Sequence, residues 1–288
     1  MDRDVATEEI YDKTVYAMVS DPEHKDHQYC VFDRRTLERL QWEEHLVEHF
    51  EELMEQGAFV AWFQPQYSAR TRKIVGAEAL SRMVGPDGRM ITPDRFIPIL
   101  ERNGKIIELD RYMFRQACRM QKKLGIPVSV NLSRANLYND LLPEGCAEVA
   151  AEEGADPAML PIEITETSAL MSPIVRELTE GLVSRGFPLH MDDYGTGYSS
   201  LHSLYDLPFS TIKLDKSIVD IIGDEKGEIL LRHTITFAKE TGLTVVAEGV
   251  ETMEQYLFLR ALGCDAIQGY YFSRPVSRET LELMMREK

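Results

Sequence analysis

From about residue 59 onward, short apolar runs rich in β-branched residues alternate with longer amphipathic segments. Each run ends in a polar residue and leads into a loop, which is typical of a buried strand in a parallel sheet. The pattern predicts eight strands, over residues 59–67, 74–83, 128–133, 161–166, 188–193, 211–215, 244–249 and 266–272.

The segments between most of these runs have helical periodicity. Within residues 106–124, apolar side chains recur at steps of three and four from Ile106 to Leu124, so one face of a helix is apolar. Gly125 and Pro127 then end this helix. Three further helices that end in glycine are predicted over residues 172–186, 224–242 and 252–263.

Regular alternation of strand and helix predicts an α/β fold, in which helices cover a sheet. Eight strands in a segment of this length favour a (β/α)8 TIM barrel. An open doubly wound sheet is the competing fold, but no G-x-G-x-x-G follows a predicted strand to support it. Residues 1–58 do not follow the repeat; there we predict a strand over 27–33 and a helix over 36–57.

The composition limits the classes of partner. The 288-residue chain has a formal net charge of −16, from 48 acidic against 32 basic residues, which argues against a nucleic-acid duplex. No apolar run reaches the roughly 18 residues of a membrane span, so we expect no membrane contact by this segment. Four cysteines without C-x-x-C spacing indicate reduced thiols and a cytoplasmic protein, although a longer parent protein could be membrane-tethered.

Polar side chains stand at or near the end of seven of the eight predicted strands. In a barrel these ends form the active-site face. Carboxylates and an amide, with no Cys or His, favour Mg²⁺ or Mn²⁺, and so many acids suggest two ions about 3.5–4 Å apart. The residues are Glu78, Asn131, Glu163 with Glu166, Asp192 with Asp193, Lys213, Glu248 and Gln268.

Asp192 and Asp193 are adjacent, although neighbouring side chains on a strand face opposite ways. Gly195 and Gly197 follow at once and permit backbone conformations that other residues avoid. We therefore expect the chain to bend after the pair, so that Asp193 turns towards the same centre as Asp192.

Seven short motifs follow one another at the spacing of barrel strands: EALSR (78–82), NLS (131–133), EITE (163–166), DDYGTGYSS (192–200), IKLD (212–215), AEGVE (247–251) and QGYYFSRP (268–275). This ordered set resembles the motifs of the EAL-domain phosphodiesterases, over roughly residues 45–286. The chain departs from the family pattern at Met83 and Tyr194, and both keep an apolar body.

The resemblance implies a modified TIM barrel whose first strand is antiparallel to the others. It also implies a metal-dependent enzyme that hydrolyses cyclic di-GMP to linear pGpG with two Mg²⁺ or Mn²⁺ ions, and that Ca²⁺ inhibits. A catalytically silent EAL domain, acting as a cyclic di-GMP receptor or a protein scaffold, is the alternative. The implied ligands are Glu78, Asn131, Glu163 and Asp192 for the first ion, and Asp192, Asp193 and Glu248 for the second.

The same resemblance implies roles for the remaining motif residues. Lys213 would contact the attacking water, and together with Glu78, Asp192 and Glu248 it would form the catalytic group. Gln268 and Glu251 would support the water site, while Glu166, Gly195 and Gly197 would shape the loop after Asp193. Implied substrate-binding residues are Gln64, Leu80, Arg82, Asn131, Gln268 and Pro275, with barrel packing as the alternative for Leu80.

Two further expectations concern organisation. Residues 1–44 resemble the tail of a GGDEF-type domain with a linker helix, and residues 45–288 would be the phosphodiesterase barrel. An unrelated helical extension is the alternative for residues 1–44. Relatives suggest a homodimer through the barrel helices near the loop after Asp193.

Overall fold

The computed structural model describes residues 34–169, 172–196, 204 and 206–286. The chain divides into two units, Met1–Gly57 and Ala58–Lys288. In the first unit, the described residues form the helices α1 (Arg34–Glu48) and α2 (Phe50–Glu55). The sequence predicts one helix here, but His49, with φ −108° and ψ 18°, interrupts it. The strand predicted over 27–33, and with it most of the GGDEF-like tail, lies outside the described residues.

In the second unit, nine strands form one sheet that closes on itself. The strand order is β1-β9-β8-β7-β6-β5-β4-β2-β3, and β1 also pairs with β2, so eight strands make a closed barrel with β3 attached outside. The strands are β1 (Phe59–Ser68), β2 (Ile74–Val84), β3 (Met90–Ile91), β4 (Val128–Asn131), β5 (Ile162–Thr165), β6 (Leu189–Tyr194), β7 (Thr211–Leu214), β8 (Thr244–Ala247) and β9 (Ala266–Ile267).

The first strand runs against the rest of the barrel. β1 is antiparallel to both β2 and β9, whereas β2 and β4 to β9 form parallel pairs around the remainder of the closed barrel. The short β3, outside the barrel, is antiparallel to β2. The connection between β1 and β2, residues 69–73, is too short for the crossover that a parallel pair requires. The expected TIM barrel with an antiparallel first strand is therefore confirmed, and the all-parallel barrel suggested by periodicity alone is wrong.

Helices follow most of the strands, as the alternation predicts. The helix α4, Ile106–Leu124, has the predicted limits, and Gly125 ends it in the left-handed conformation with φ 64°. Glycines also close the helices predicted over 172–186, 224–242 and 252–263, each with positive φ. The helices are α3 (Pro93–Arg102), α4 (Ile106–Leu124), α5 (Leu142–Glu153), α6 (Glu166–Ala169), α7 (Ser172–Ser184), α8 (Lys216–Val219), α9 (Glu225–Glu240), α10 (Met253–Leu262) and α11 (Arg278–Arg286), with 3-10 turns at Arg134–Tyr138 and Pro157–Met159.

Strand alternation divides the buried side chains into two sets. In β7, all four residues are buried, and Ile212 and Leu214 alternate with Thr211 and Lys213. The apolar pair faces the same way, which fits packing under the helices, and the polar pair faces the other way, into the barrel. One strand thus contributes both to the apolar core and to the polar interior.

The strand predicted over 266–272 is wrong beyond Ile267. After β9 the chain turns, and the Tyr271 N–H donates to the Val250 carbonyl at 2.9 Å. A Cβ at Gly269 would lie 2.2 Å from the Val250 carbonyl oxygen, so glycine permits the close backbone approach that takes the chain out of the sheet.

Candidate active site

Acidic side chains from three different strands meet at one end of the barrel. Glu78 on β2, Glu163 on β5 and Asp192 on β6 are buried, and one carboxylate oxygen from each lies within 4.8 Å of the others. The parallel register contributes to this convergence, because Asp192 is level with Thr165, two residues beyond Glu163, so that both carboxylates lie on the same face of the sheet. Side chains on this face near the strand ends therefore reach one place.

Lys213 lies at the centre of these acids. Its side chain is 1% exposed, and its Nζ lies 2.5 Å from Glu163 Oε2 and 2.8 Å from Glu248 Oε1. The same nitrogen is 2.9 Å from Asp192 Oδ1 and 3.4 Å from Glu78 Oε2. One ammonium is thus shared among four carboxylates.

We call Glu78, Glu163, Asp192, Asp193, Glu248 and Lys213 the acidic group, and the charges in this group do not balance. With Asp193, five carboxylates against one ammonium leave four net negative charges when all are ionised. Like charges about 4 Å apart repel by about 4 kcal/mol even at an effective dielectric of 20. The site therefore needs protons or added cations.

The pKa values show where protons would be held. Burial, together with the neighbouring carboxylates, raises the pKa of Glu248 to about 8 and that of Asp193 to about 6. Burial likewise raises the pKa of Glu163 well above its usual range, despite the opposing charge of Lys213. For Lys213, burial alone would lower the pKa, but the surrounding carboxylates raise it, so the lysine keeps its charge.

The pKa of Glu78 moves the other way from those of Glu163, Asp193 and Glu248, because it is lowered. Burial alone would raise its pKa, but the charge of Lys213 and hydrogen bonds from two amides lower it. Asn131 Nδ2 donates to Glu78 Oε1 at 2.6 Å, and Gln268 Nε2 donates to Glu78 Oε2 at 2.6 Å. Each carboxylate oxygen therefore accepts one amide hydrogen bond.

Asp193 turns the chain at the end of β6. It has φ 54°, which is left-handed and uncommon for a residue other than glycine, and the β6–β7 register shifts between Met191 and Tyr194. The bend therefore begins at Asp193 itself rather than at the glycines alone. Its carboxylate is not one of the three that meet within 4.8 Å, but burial and the charges of Asp192 and Asp215 raise its pKa.

The turn after Asp193 is fixed by Glu166 and by close packing. Glu166 Oε2 accepts the Gly195 N–H at 2.9 Å, and Glu166 is 1% exposed. Gly195 has φ 102°, and a Cβ there would lie 1.8 Å from Ile218 Cδ1. Gly197 lies outside the described residues.

The other predicted residues occupy different positions. Arg82 is half-buried, and its Nη1 donates to the Ser81 carbonyl at 2.7 Å; Gln64 Nε2 donates to the Ser273 carbonyl at 2.6 Å. Leu80 and Asn131 line a cavity of about 250 Å³. Pro275 is partly exposed in the segment that follows Gln268. Glu251 Oε1 lies 3.4 Å from Lys216 Nζ in a partly exposed ion pair, away from the ammonium of Lys213.

Sequence reasoning missed three nearby residues. Asp215 caps α8 by accepting the Ser217 N–H at 2.9 Å, and its charge helps to raise the pKa of Asp193. Its position in the motif IKLD was the signal that the sequence offered. Asp110 Oδ2 accepts from Ser133 N at 3.1 Å, which anchors the segment after Asn131. Gln66 Nε2 donates to Gln268 Oε1 at 3.0 Å, and its inward position on β1 was the only sequence signal.

His190 on β6 lies close to Glu163. Its Nδ1 is 3.7 Å from Glu163 Oε1, which is too long for a hydrogen bond. Burial lowers the pKa of His190 to about 3, so the ring is neutral at physiological pH.

The chemistry of these residues fits hard divalent cations. All the acidic ligand atoms are oxygens, and Glu163 Oε1 is buried with no hydrogen-bond partner among the described residues. Buried orphan acceptors within an excess of negative charge are what Mg²⁺ or Mn²⁺ would satisfy.

Known proteins with similar sequences support the interpretation of this barrel and its acidic strand ends. The chain belongs to the EAL domain family, whose pattern matches residues 47–275. It is 39% identical over 227 residues to the oxygen sensor protein DosP of Escherichia coli, covering 76% of this chain and 28% of DosP. It is 35% identical over 264 residues to the cyclic di-GMP phosphodiesterase NbdA of Pseudomonas aeruginosa, covering 88% of this chain and 34% of NbdA.

Solved structures agree in fold. The PaMucR phosphodiesterase in complex with c-di-GMP superposes with a TM-score of 0.78 at 30% identity, covering 82% of this chain and 99% of that one. The EAL domain of Mycobacterium smegmatis DcpA gives 0.67 at 29% identity, covering 80% and 97%. The chain spans about a third of the length of the two curated relatives.

Proposed function

We propose that this chain is a metal-dependent phosphodiesterase that hydrolyses cyclic di-GMP to linear pGpG. The observation that carries the proposal is the excess of buried carboxylates around Lys213 at one end of an EAL barrel. Relatives and a solved structure that are named for this nucleotide or its hydrolysis support the choice of substrate.

The acidic group would hold two Mg²⁺ or Mn²⁺ ions. Bound there, the ions supply a water of lowered pKa and positive charge opposite the phosphodiester. We assign the first ion to Glu78, Asn131, Glu163 and Asp192, and the second to Asp192, Asp193 and Glu248.

The protein's own residues prepare this chemistry. Lys213 remains charged among the acids, so its N–H groups can orient a water and favour its loss of a proton. The Asn131 and Gln268 amides fix the Glu78 carboxylate, and Glu166 holds the turn that carries Asp193. Arg82, whose pKa is lowered by burial, would bind a phosphate of the substrate at the rim.

The test is hydrolysis of cyclic di-GMP with Mg²⁺ or Mn²⁺, followed by separation of the nucleotides. We expect pGpG from the wild-type chain and none from Glu78→Ala or Asp192→Asn, while Glu240→Gln, exposed on α9, keeps full activity. Ca²⁺ should permit nucleotide binding and stop turnover. Binding without any pGpG, from folded protein in every metal, would favour the receptor alternative instead.

We also propose a homodimer through barrel helices near the loop after Asp193. The support is a set of half-exposed apolar side chains, Ile229 and Leu230 on α9 and Met253 and Leu257 on α10. Light-scattering mass should give a dimer for the wild type and a monomer for Ile229→Asp with Leu230→Asp; an unchanged mass would contradict this surface.

We also propose limits for the phosphodiesterase domain and a cellular location for the protein. Residues 45–288 would form the phosphodiesterase domain, after an extension over 1–44 that resembles the end of a GGDEF-type domain. Among the described helices, none has the length and apolar character needed to cross a membrane. Free buried thiols at Cys118, Cys146 and Cys264 suit the reducing cytoplasm, where we place the protein. Cell fractionation would test the location.

A further inference from the structure

Gln66 on β1 begins a line of buried hydrogen bonds that ends at Glu78. The side chain of Gln66 is 8% exposed. Its Nε2 donates to Gln268 Oε1 at 3.0 Å, and Gln268 Nε2 donates to Glu78 Oε2 at 2.6 Å. Among the described residues, the Gln66 side chain makes no hydrogen bond to an acid, but it reaches Glu78 through the single amide of Gln268.

Chemistry fixes the direction of this line. An ionised carboxylate can only accept hydrogen bonds, so Gln268 must present its NH₂ group to Glu78. The carbonyl oxygen of Gln268 then points the other way and needs a donor, because it is buried. The Gln66 NH₂ group is that donor. Reversing the Gln268 amide would place its oxygen against the carboxylate.

The neighbouring strand leaves space for the Gln66 side chain. Gly76 on β2 is the register partner of Gln66 on β1. A Cβ at Gly76 would lie 3.0 Å from Gln66 Oε1 and 3.3 Å from the Pro127 carbonyl. Because Gly76 has no side chain, the amide of Gln66 can occupy this position without a clash.

We propose that Gln66 is a positioning residue of the metal site, which fixes the amide orientation of Gln268 and through it the carboxylate of Glu78. This rests on the proposed function, because it takes Glu78 as a cation ligand. Glu78 also has Asn131 on its other oxygen, so both carboxylate oxygens are aimed by amides. Losing a direct hydrogen-bond partner of a metal ligand commonly weakens metal binding about 10- to 100-fold, and Gln66 acts one hydrogen bond further out, so we expect an effect at the lower end of this range.

A purely structural role predicts a different result. Gln66 and Gln268 are 202 residues apart and join β1 to the segment after β9, where the barrel closes. If this bond merely helped closure, its loss would lower stability and leave metal affinity unchanged. The two roles are therefore separated by measuring the binding of Mn²⁺ alone.

The test is Gln66→Met, which keeps the volume of the side chain and removes the donor. We expect its Mn²⁺ dissociation constant, measured by calorimetry without nucleotide, to rise about tenfold, the lower end of the range for a lost direct partner. At fixed subsaturating Mn²⁺, kcat should fall while KM for cyclic di-GMP changes less than about threefold. Wild-type Mn²⁺ affinity in folded Gln66→Met protein would overturn the proposal.

Gln121→Met is the matched control. Gln121 is also a buried glutamine, and it lies on α4, outside the acidic group. Its Nε2 donates to Met159 Sδ at 3.2 Å, and its Oε1 accepts the Asp156 N–H at 3.1 Å. We expect this variant to lose stability and to keep wild-type Mn²⁺ affinity. An equal loss of affinity in Gln121→Met would also overturn the positioning role.

Gln66→Leu provides a second variant if Gln66→Met does not fold. It also removes the donor to Gln268 Oε1, but with a shorter, branched side chain and no group that can ionise. Weaker Mn²⁺ binding in folded Gln66→Leu protein would support the positioning role, and wild-type affinity would overturn it. If the wild-type chain itself binds no Mn²⁺, the proposed function fails, which is a separate result.

Discussion

Lys213 Nζ lies 2.5 Å from Glu163 Oε2, and both side chains are buried from solvent. Three further carboxylates approach the same ammonium within 3.4 Å. Lys213 is therefore the internal counter-ion of the acidic site, and it holds the carboxylates together in the metal-free protein.

Lys213→Met should remove this counter-ion and leave its four acids unpaired. Removing one partner of a buried ion pair costs about 3–5 kcal/mol, so we expect a loss of this size in metal-free unfolding free energy. Mg²⁺ should then raise the melting temperature of the variant more than that of the wild type, since cations that bind the folded state stabilise it. Hydrolysis should be lost. Denaturant titration and thermal melts with EDTA or Mg²⁺ measure these effects.

Lys239→Met is the control for Lys213→Met. Lys239 Nζ pairs with Asp265 at 2.7 Å, but its side chain is 41% exposed. An exposed pair contributes about 0–1 kcal/mol, so we expect little change in stability and none in the response to Mg²⁺. Equal losses in the two variants would contradict the role of Lys213 as a counter-ion.

Gly195→Ala should destabilise the turn after Asp193 far more than the same change elsewhere. Gly195 combines φ 102° with a Cβ position 1.8 Å from Ile218 Cδ1. At Gly263, φ is 90° and nothing lies within 4 Å of the added Cβ. Gly263→Ala should therefore cost only the backbone strain of about 1–2 kcal/mol, and Gly195→Ala more, by urea denaturation. Equal costs would mean that packing against Ile218 is unimportant.

Glu166→Met should loosen the same turn, because it removes the acceptor of the Gly195 N–H. Glu166→Gln keeps an oxygen that can accept this bond. We expect Glu166→Met to lower kcat by about tenfold or more, as a lost supporting contact commonly does, with Glu166→Gln between it and the wild type. Steady-state kinetics measure this. Full activity in Glu166→Met would show that the turn is held by other contacts.

Asp110 should make stability depend on pH. Burial raises the pKa of this carboxyl from 3.8 to about 6. Between these values the folded chain keeps a proton that the unfolded chain has lost, so the unfolding free energy falls as pH rises from about 4 to about 6. It should then stay level above that range.

Asp110→Asn tests this pH dependence. The amide oxygen can still accept from Ser133 N and Asn136 Nδ2, which now bond Asp110 Oδ2. We expect no gain at pH 4 and a gain of about 1–3 kcal/mol at pH 7, because about two pKa units of penalty are removed. Urea denaturation at several pH values between 4 and 7 measures the unfolding free energy of both proteins. Curves of unfolding free energy against pH that run parallel for the wild type and Asp110→Asn would refute the assignment to Asp110.

Much of the barrel could be predicted from the sequence because its signals are local. Seven of the eight predicted barrel strands occur near their predicted positions, and α4 has its predicted limits. Helix periodicity and closing glycines need only neighbouring residues. The strand over 266–272 was overpredicted because the backbone approach of Gly269 to Val250 is a tertiary contact.

The sequence predicts which residues form the site, but it does not predict how their side chains are oriented. Motifs at the strand ends identify Glu78, Glu163 and Asp192, and the structure brings them together. The direction of Asp193 was expected from the glycines that follow, whereas the structure gives the positive φ to Asp193 itself. Aspartate tolerates this conformation better than most residues, but the sequence does not tell which position of the turn adopts it, and the surrounding fold decides that.

By itself, the sequence determined the strands, the helices and the residue types at the strand ends, because apolar periodicity and the order of motifs are properties of neighbouring positions. The closed barrel decided the rest. It placed one ammonium among four acids from four strands or strand ends, and it joined Gln66 to Gln268 across 202 residues. Shared charge and buried hydrogen bonds depend on distances between strands, and those distances exist only once the sheet has closed.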